Sequence, residues 1–172
     1  MKKISMILSI ALLAFVFTGC GSSGDTSSTP NTPPTTNNEG GDTEELVFEQ
    51  GQYGEISITA DYKIPGGALF LDIRDDWERV SMRAVGSVGG AIYEYRGENG
   101  SKVLNEEFYN QVLVLAGDES REIILICQSS SRTRAASQEL SNRGFSNVSH
   151  ILGGTARWAE VKPTETIFNT NL

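Results

Sequence analysis

Cysteine, histidine and basic side chains are scarce in this chain of 172 residues. With two Cys and one His, the chain lacks the ligands for a cysteine-rich zinc module and the thiols for a scaffold of several disulfides. Fourteen Lys and Arg against 22 Asp and Glu give a net charge of -8. Such a field repels phosphates at long range. We therefore expect no metal centre and no nucleic-acid partner.

Long apolar runs are also few. The longest covers residues 4–17 and is shorter than the roughly 20 residues that a membrane-spanning helix needs. A short basic segment precedes it, and Gly19 and Cys20 follow it, an order typical of a signal peptide. The junction resembles a bacterial lipobox, whose cysteine becomes the acylated first residue. We predict a lipoprotein signal peptide over residues 1–19 and lipid attachment at Cys20; the alternative is an ordinary secretory signal that contains a cysteine.

Residues 20–45 are predicted to form a disordered tether that starts at the acylated cysteine. From residue 21 onward the segment has five acidic residues, no basic one and no apolar side chain beyond proline, so it has nothing to bury. The lipid would anchor it to a membrane. In the proteobacterial lipoproteins that this segment resembles, an acidic residue after the cysteine favours inner-membrane retention. Gly21 stands there instead, so we expect a periplasm-facing domain on the cell envelope, at the outer membrane rather than the inner.

Residues 46–163 read as one domain of alternating strands and helices, followed by a C-terminal tail over residues 164–172. Apolar, β-branched runs predict strands, and apolar residues at helical spacing predict helices. The predicted strands cover residues 68–73, 91–93, 122–127 and 148–152, and the predicted helices cover residues 105–116 and 133–143. Gly117 and Gly144 stand just past the two helices, where a left-handed residue ends a helix. The order predicts an α/β fold with a mostly parallel central sheet and helices on both faces.

A polar loop follows the strand over residues 122–127 and opens a helix. It begins at Cys127 and continues through Gln128, Ser129, Ser130, Ser131, Arg132 and Thr133. Chemistry in a parallel sheet gathers beyond the carboxyl ends of the strands, and the free N–H groups of a helix N-terminus favour an anion there. Taken alone, a cysteine at the end of an apolar strand is more often a buried structural thiol. We favour a nucleophile, because Arg132 adds a positive charge and Cys127 is the one thiol left once Cys20 carries lipid.

Four residues separate Cys127 from Arg132. Cysteine phosphatases have five residues at the corresponding place, and position 133 is Thr rather than Arg. The tighter loop resembles the active site of the rhodanese family of sulfurtransferases. Further stretches resemble the same family in the same order between residues 56 and 160: Asp72 and Arg74 at a strand end, Gly89-Gly90-Ala91-Ile92, residues 144–148 and residues 153–158.

This resemblance implies a rhodanese-like sheet of about five strands and a sulfurtransferase activity. Cys127 would be the catalytic residue and would carry the transferred sulfur as a persulfide, while the loop over residues 128–133 would bind the substrate. The donor would be a small anion such as thiosulfate, and the acceptor a thiol, cyanide or a protein. No cofactor is implied. Asp72 and Arg74 would support the site, and we interpret them as a fold-stabilising ion pair.

Several positions depart from the family pattern. Ser130 stands where the family usually has Gly, so a positive φ there would strain the loop. Ser87 and Gly89 replace the usual His and Pro, and the first helix, after Asp61, is expected to be short. The alternative function is therefore a low-turnover sulfur-relay or binding module. A relative of the phosphatases or arsenate reductases is disfavoured by the loop length.

Three further side chains are expected to have ordinary structural roles. His150 is the one imidazole of the chain, so any protease-like pair of Cys and His would have to use it. Its apolar strand context favours an ordinary strand residue instead. Trp77 and Trp158 are expected to anchor the packing of the domain.

Overall fold

The computed structural model describes residues 35–36, 49–96 and 98–169. The predicted signal peptide, Cys20 and the predicted tether apart from Thr35 and Thr36 lie outside these ranges, so they stay predictions. Within the described ranges, no helix combines the length and the apolar character that crossing a membrane requires.

The described ranges form short strands and helices in alternation. The strands are β1 (Thr35–Thr36), β2 (Gly54–Ile56), β3 (Leu69–Asp72), β4 (Met82–Ala84), β5 (Glu94–Arg96), β6 (Lys102–Leu104), β7 (Ile123–Ile126), β8 (Val148–Ile151) and β9 (Thr166–Phe168). The α-helices are α1 (Asp76–Ser81), α2 (Phe108–Ala116), α3 (Ser131–Asn142) and α4 (Gly154–Val161), with 3-10 turns at Glu98–Gly100 and Pro163–Glu165.

Five parallel strands form the central sheet in the order β1-β2-β8-β7-β3. Side chains alternate across it: Ile123 and Leu125 of β7 join one apolar cluster, and Ile124 and Ile126 join another on the opposite face. Helices α2 and α3 cover the first cluster, and α4 covers the second through Trp158. The predicted α/β fold, with a parallel sheet and helices on both faces, is confirmed.

Helix α3 follows β7 as the sequence predicts, and its end shows why Gly144 is needed. Gly144 has a φ of 119°, and the N–H of Phe145 donates to the carbonyl of Leu140 while the N–H of Gly144 donates to that of Ser141. These two hydrogen bonds close the helix in the arrangement that left-handed glycines favour. Near this end, Glu139 and Arg143 form an ion pair at 3.3 Å.

The structure differs from the sequence prediction at three elements. Residues 91–93 are not a strand. The chain contacts the edge of the sheet earlier, at Val88, which forms a parallel β-bridge with Leu71. It then turns away from the sheet at Gly90, whose φ is 116°. No helix follows Asp61, because the segment runs directly into the turn at Pro65-Gly66-Gly67. Residues 154–158, for which the sequence analysis predicts no helix, begin helix α4.

The C-terminal segment extends the domain past residue 163. Thr166–Phe168 form β9, which pairs antiparallel with β4, and the indole N–H of Trp158 donates to the carbonyl of Glu165 at 3.0 Å. The folded domain therefore extends beyond residue 163, where the sequence analysis places its end. Trp158, 1% exposed and 5.2 Å from the ring of Phe70, is the packing anchor that the sequence predicts.

Candidate active site

Helix α4 holds the base of the loop that follows β7. The carbonyl of Cys127 accepts a hydrogen bond from the N–H of Thr155 at 2.7 Å, and the carbonyl of Gln128 accepts one from Ala156 at 3.2 Å. In a trans peptide the N–H points opposite to the C=O of the same unit. The N–H groups of Gln128 and Ser129 therefore point away from α4.

The loop leaves a row of backbone donors free. Among the hydrogen bonds of the described residues, none uses the N–H groups of residues 128–133, and helix α3 has no side-chain cap at its start. Unpaired N–H groups and the positive end of a helix together favour an anion. The predicted anion-binding character of the loop thus has a structural basis in its backbone.

Ser130 occupies the left-handed position at which the family usually has Gly. Its φ is 76°, a conformation that costs a residue with a side chain of the order of 1 kcal/mol or more. The Ser130 hydroxyl offsets part of this cost, because it donates to the carbonyl of Ile151 at 3.2 Å and accepts from the N–H of Gly153 at 2.6 Å. The side chain therefore anchors the loop to the turn after β8, and is not a donor toward the loop centre.

Gly154 lets α4 approach the loop closely. Its φ is +58°, and a Cβ built there would lie 2.2 Å from the carbonyl oxygen of Cys127 and 2.6 Å from the carbonyl carbon of Gln128. Both contacts are to backbone atoms, which cannot move aside as a flexible side chain can. This explains why residue 154 is glycine at the start of α4.

Gly154→Ala is expected to lower the free energy of unfolding by roughly 2 to 3 kcal/mol, because backbone strain and a backbone clash add. Urea unfolding measures the loss. Gly117→Ala is the matched control, since Gly117 also has a positive φ of +89° but open space around its Cβ position. Equal losses in the two variants would contradict a steric role for Gly154.

Arg132, which adds a positive charge to the loop, pairs with Glu78 of α1. Its two terminal nitrogens lie 2.7 and 2.6 Å from the carboxylate oxygens, in a bidentate contact that is mostly buried. Burial alone would raise the pKa of Glu78, but the hydrogen bonds and charge of Arg132 outweigh it and lower that pKa. Glu78 is a site residue that sequence reasoning missed.

The Glu78–Arg132 pair predicts a pH-dependent stability. A carboxyl group with a lowered folded pKa stabilises the fold above its ordinary value of 4.5, and this contribution is lost as the pH falls through the folded pKa. We expect the stability difference between the wild type and Glu78→Gln to shrink between about pH 5 and pH 2. Glu160→Gln, which removes an exposed ion pair with Arg157, serves as the control. A pH-independent difference for Glu78→Gln would count against the pairing.

Asp72 and Arg74 form the predicted structural pair. The guanidinium donates to both carboxylate oxygens at 2.9 and 2.7 Å and to the carbonyl of Met82 at 2.5 Å. Asp72 is fully buried and Arg74 is 2% exposed. The pair ties the end of β3 to the start of β4, and neither residue lines the cavity next to the loop.

A cavity of about 300 Å³ lies beside the loop. Its lining combines three acidic and three basic side chains with loop residues and two aromatic rings: Asp75, Trp77, Glu78, Glu94, Tyr95, Arg96, Gly100, Ser101, Lys102, Gln128, Ser129, Ser131 and Arg132. Trp77 is 53% exposed, with the guanidinium carbon of Arg96 4.7 Å from its ring centroid. The prediction that Trp77 anchors the packing is therefore wrong; the ring lies at the cavity.

Cys127 itself is not part of this cavity. Its side chain is fully buried, it belongs to the apolar cluster under α3, and it does not line the cavity. Within the described residues, the one hydrogen-bonding contact of the sulfur is the hydroxyl of Thr133 at 3.7 Å. The sequence analysis favours a functional thiol over a buried one; the structure shows a buried sulfur at the start of a loop whose backbone N–H groups are free.

The fold and this loop define an α/β protein with one cysteine at the end of a central parallel strand. Residues 59–161 match the family model described as Rhodanese-like domain. The chain belongs to the rhodanese-like domain family, as its loop and motifs suggest.

The chain is also similar to individual relatives and to a solved structure. The chain is 33% identical over 106 residues to thiosulfate sulfurtransferase 16, chloroplastic, of Arabidopsis thaliana, covering 61% of this chain and 86% of that protein. It is 24% identical over 115 residues to rhodanese-like domain-containing protein 10 of the same plant, covering 55% of this chain and 54% of that protein. The crystal structure of the Alr3790 protein from Anabaena sp. superposes with a TM-score of 0.45 at 22% identity, covering 62% of this chain and 73% of the other.

Proposed function

We propose that this protein is a sulfurtransferase that carries a sulfane sulfur on Cys127. The donor is a small anion such as thiosulfate, and the acceptor is a thiol, cyanide or a protein. The observation that carries this proposal is the row of free N–H groups over residues 128–133, next to the cysteine at the end of β7. The similarity to the Arabidopsis thiosulfate sulfurtransferase supports the same donor class.

The reaction consists of two displacements. The Cys127 thiolate attacks the outer sulfur of thiosulfate, a new S–S bond forms, the old S–S bond breaks, and sulfite leaves with the electron pair. A negative charge remains on the outer sulfur of the persulfide, where the free N–H groups of the loop stabilise it. An acceptor nucleophile then takes the outer sulfur and releases the Cys127 thiolate.

The full burial of Cys127 adds a step to this proposal. We infer that residues 128–131 move before a donor reaches the sulfur, because Cys127 is fully buried and does not line the cavity beside the loop. The backbone of this segment is attached to α4 through the carbonyls of Cys127 and Gln128, whereas the side chains of Gln128, Ser129 and Ser131 are exposed. We expect this loop movement to limit the rate of the first displacement.

A second candidate function is a sulfur-relay or binding module with little turnover. Two observations favour it: the sulfur is buried, and the charge of Arg132 is already paired with Glu78. Steady-state formation of thiocyanate from thiosulfate and cyanide separates the two functions. Sustained turnover supports the enzyme, whereas one added sulfur without turnover supports a relay to a dedicated protein acceptor.

We also propose that the domain works at the cell envelope, held to a membrane through lipid on Cys20 and facing the periplasm. The proposal is supported by the order of basic, apolar and small residues before Cys20. Metabolic labelling with a fatty-acid analogue tests it. Labelling that is lost in Cys20→Ser supports the lipid anchor, and an unlabelled wild-type chain would exclude it.

A further inference from the structure

A line of polar side chains runs from Cys127 into the sheet, below the loop. The sulfur lies 3.7 Å from the hydroxyl oxygen of Thr133, which lies 3.2 Å from Nδ1 of His150. On the other side of the imidazole, Nε2 lies 3.4 Å from a carboxylate oxygen of Glu55. Cys127 and His150 are fully buried, so the four groups form a continuous path from the buried thiol to the partly buried Glu55.

The strand register brings these residues together. His150 of β8 pairs with Glu55 of β2 on one side and with Leu125 of β7 on the other. Register partners in a parallel sheet share a face, and Cys127 follows Leu125 by two residues, so its side chain lies on the same face. Helix α3 covers that face and supplies Thr133 from its first turn.

The proton positions along this line follow from Glu55. Its carboxylate forms an ion pair with the guanidinium of Arg134 at 3.2 Å. An ionised carboxylate favours a proton on the facing Nε2, and a neutral imidazole then has its lone pair on Nδ1. The one proton of the Thr133 hydroxyl has two acceptors within reach, the carbonyl of Ser130 at 3.1 Å and Nδ1 at 3.2 Å, and the hydroxyl oxygen can accept from the Cys127 thiol. The path from the thiol to the imidazole is continuous when the hydroxyl turns from Ser130 to Nδ1, and Glu55 lies close to Nε2 without a hydrogen bond to it.

We propose that His150 is a positioning residue that takes the proton of the Cys127 thiol through the Thr133 hydroxyl. The thiol gives its proton to the Thr133 oxygen while the hydroxyl proton passes to Nδ1, which leaves a thiolate and an imidazolium with no change in net charge. Glu55 stabilises the imidazolium, in the way that a carboxylate supports the histidine of a catalytic triad. This inference rests on the proposed function, because it gives the buried nucleophile its route of activation.

The surroundings of His150 allow it to act as a base. Burial lowers its pKa, and the charge of Glu55 opposes this effect only in part. The charged and titratable groups that face the imidazole are Glu55 from β2, Arg134 from α3 and Tyr53, whose ring centroid lies 5.7 Å away. A base with a lowered pKa stays unprotonated at neutral pH, so it can accept the thiol proton there.

The test measures the rate at which iodoacetamide alkylates Cys127 in the full chain at several pH values, with peptide masses used to separate Cys127 from Cys20. In the wild type we expect a nearly constant rate between about pH 6.5 and 8.5, because His150 supplies the base. In Thr133→Val the relay is cut, so the rate should rise about tenfold per pH unit and lie about 100-fold below the wild type at the acidic end of this range.

Two further variants separate the relay from a structural role. Thr133→Ser keeps the hydroxyl and should restore the flat profile. Ser137→Ala, one turn later in α3, removes a buried hydroxyl that has no hydrogen-bond partner among the described residues, and it should keep the wild-type profile. If Thr133→Val shows the wild-type profile at a uniformly lower rate, Thr133 is merely structural and the relay is wrong.

The ring of His150 gives an independent readout, because it is the one imidazole in the chain. Nitrogen-15 shifts of the ring should show the proton on Nε2 and a hydrogen-bonded, unprotonated Nδ1. A proton on Nδ1 at neutral pH would overturn the relay. Neither readout requires sulfur transfer. A flat wild-type alkylation profile that is lost in Thr133→Val, without sulfur uptake from thiosulfate, would support the relay and refute the proposed function. Sulfur uptake together with a Thr133→Val profile of the wild-type shape at a lower rate would refute the relay and support the proposed function.

Discussion

Cys127→Ser should abolish thiocyanate formation from thiosulfate and cyanide, down to the rate of the uncatalysed reaction. A serine hydroxyl is not ionised at neutral pH and has no sulfur to form the persulfide, so the first displacement is lost entirely. The change replaces one sulfur atom with an oxygen atom and removes little volume at a fully buried position, so the fold should be kept. Circular dichroism and urea unfolding check that point.

Cys20→Ser is the matched control for this variant, because it removes the other cysteine of the chain. The purified Cys20→Ser chain should retain the wild-type rate, since Cys20 is predicted to carry lipid and to have no part in the chemistry. A Cys127→Ser chain that still forms thiocyanate at the wild-type rate would eliminate Cys127 as the sulfur carrier.

The second large effect is expected at the buried ion pair between β3 and β4. Arg74→Met should lower the free energy of unfolding by about 3 to 5 kcal/mol, because it leaves the fully buried Asp72 carboxylate without its partner. Urea unfolding measures the loss. Arg157→Met, which removes an ion pair with Glu160 between two exposed side chains, should cost less than about 1 kcal/mol.

A double variant tests the reason for this cost. Asp72→Leu combined with Arg74→Met removes both charges, so it should be less destabilised than Arg74→Met alone. If the loss in the free energy of unfolding of the double variant instead equals the sum of the losses of Asp72→Leu and Arg74→Met, the cost comes from packing and not from an unpaired buried charge.

Local patterns in the sequence predicted much of the fold. The apolar run at residues 122–127 predicts β7, and the position of Gly144 predicts the end of α3 because left-handed glycines have a strong local preference. The Asp72–Arg74 pair could be read as structural, since the two residues are separated by one position at the end of a buried strand. The positive φ of Ser130 was raised only as a condition, through the resemblance to a family that usually has Gly at this position.

Contacts between distant segments were beyond this kind of reasoning. Glu78 lies 54 positions before Arg132, and no local pattern indicates that α1 turns its carboxylate toward the loop. His150 was interpreted as an ordinary strand residue, which is correct for its strand but misses its contact with Thr133. That contact depends on the order β2-β8-β7 and on the register within it, which the composition of one strand does not determine.

The burial of Cys127 was missed for a related reason. A strand-end position predicts that the residue lies near the sheet edge, where active sites form. It does not predict whether the following loop folds over the side chain. Here α4 binds the carbonyls of Cys127 and Gln128, and Ser130 is anchored to the turn after β8, so the loop is held over the sulfur.

The most direct test of the central claim is the mass of the full chain after incubation with thiosulfate and removal of the small molecules. We predict one added sulfur atom, located on the peptide that contains Cys127, released by cyanide and absent in Cys127→Ser. An unchanged mass, or a sulfur atom that remains in Cys127→Ser, would contradict a persulfide on Cys127.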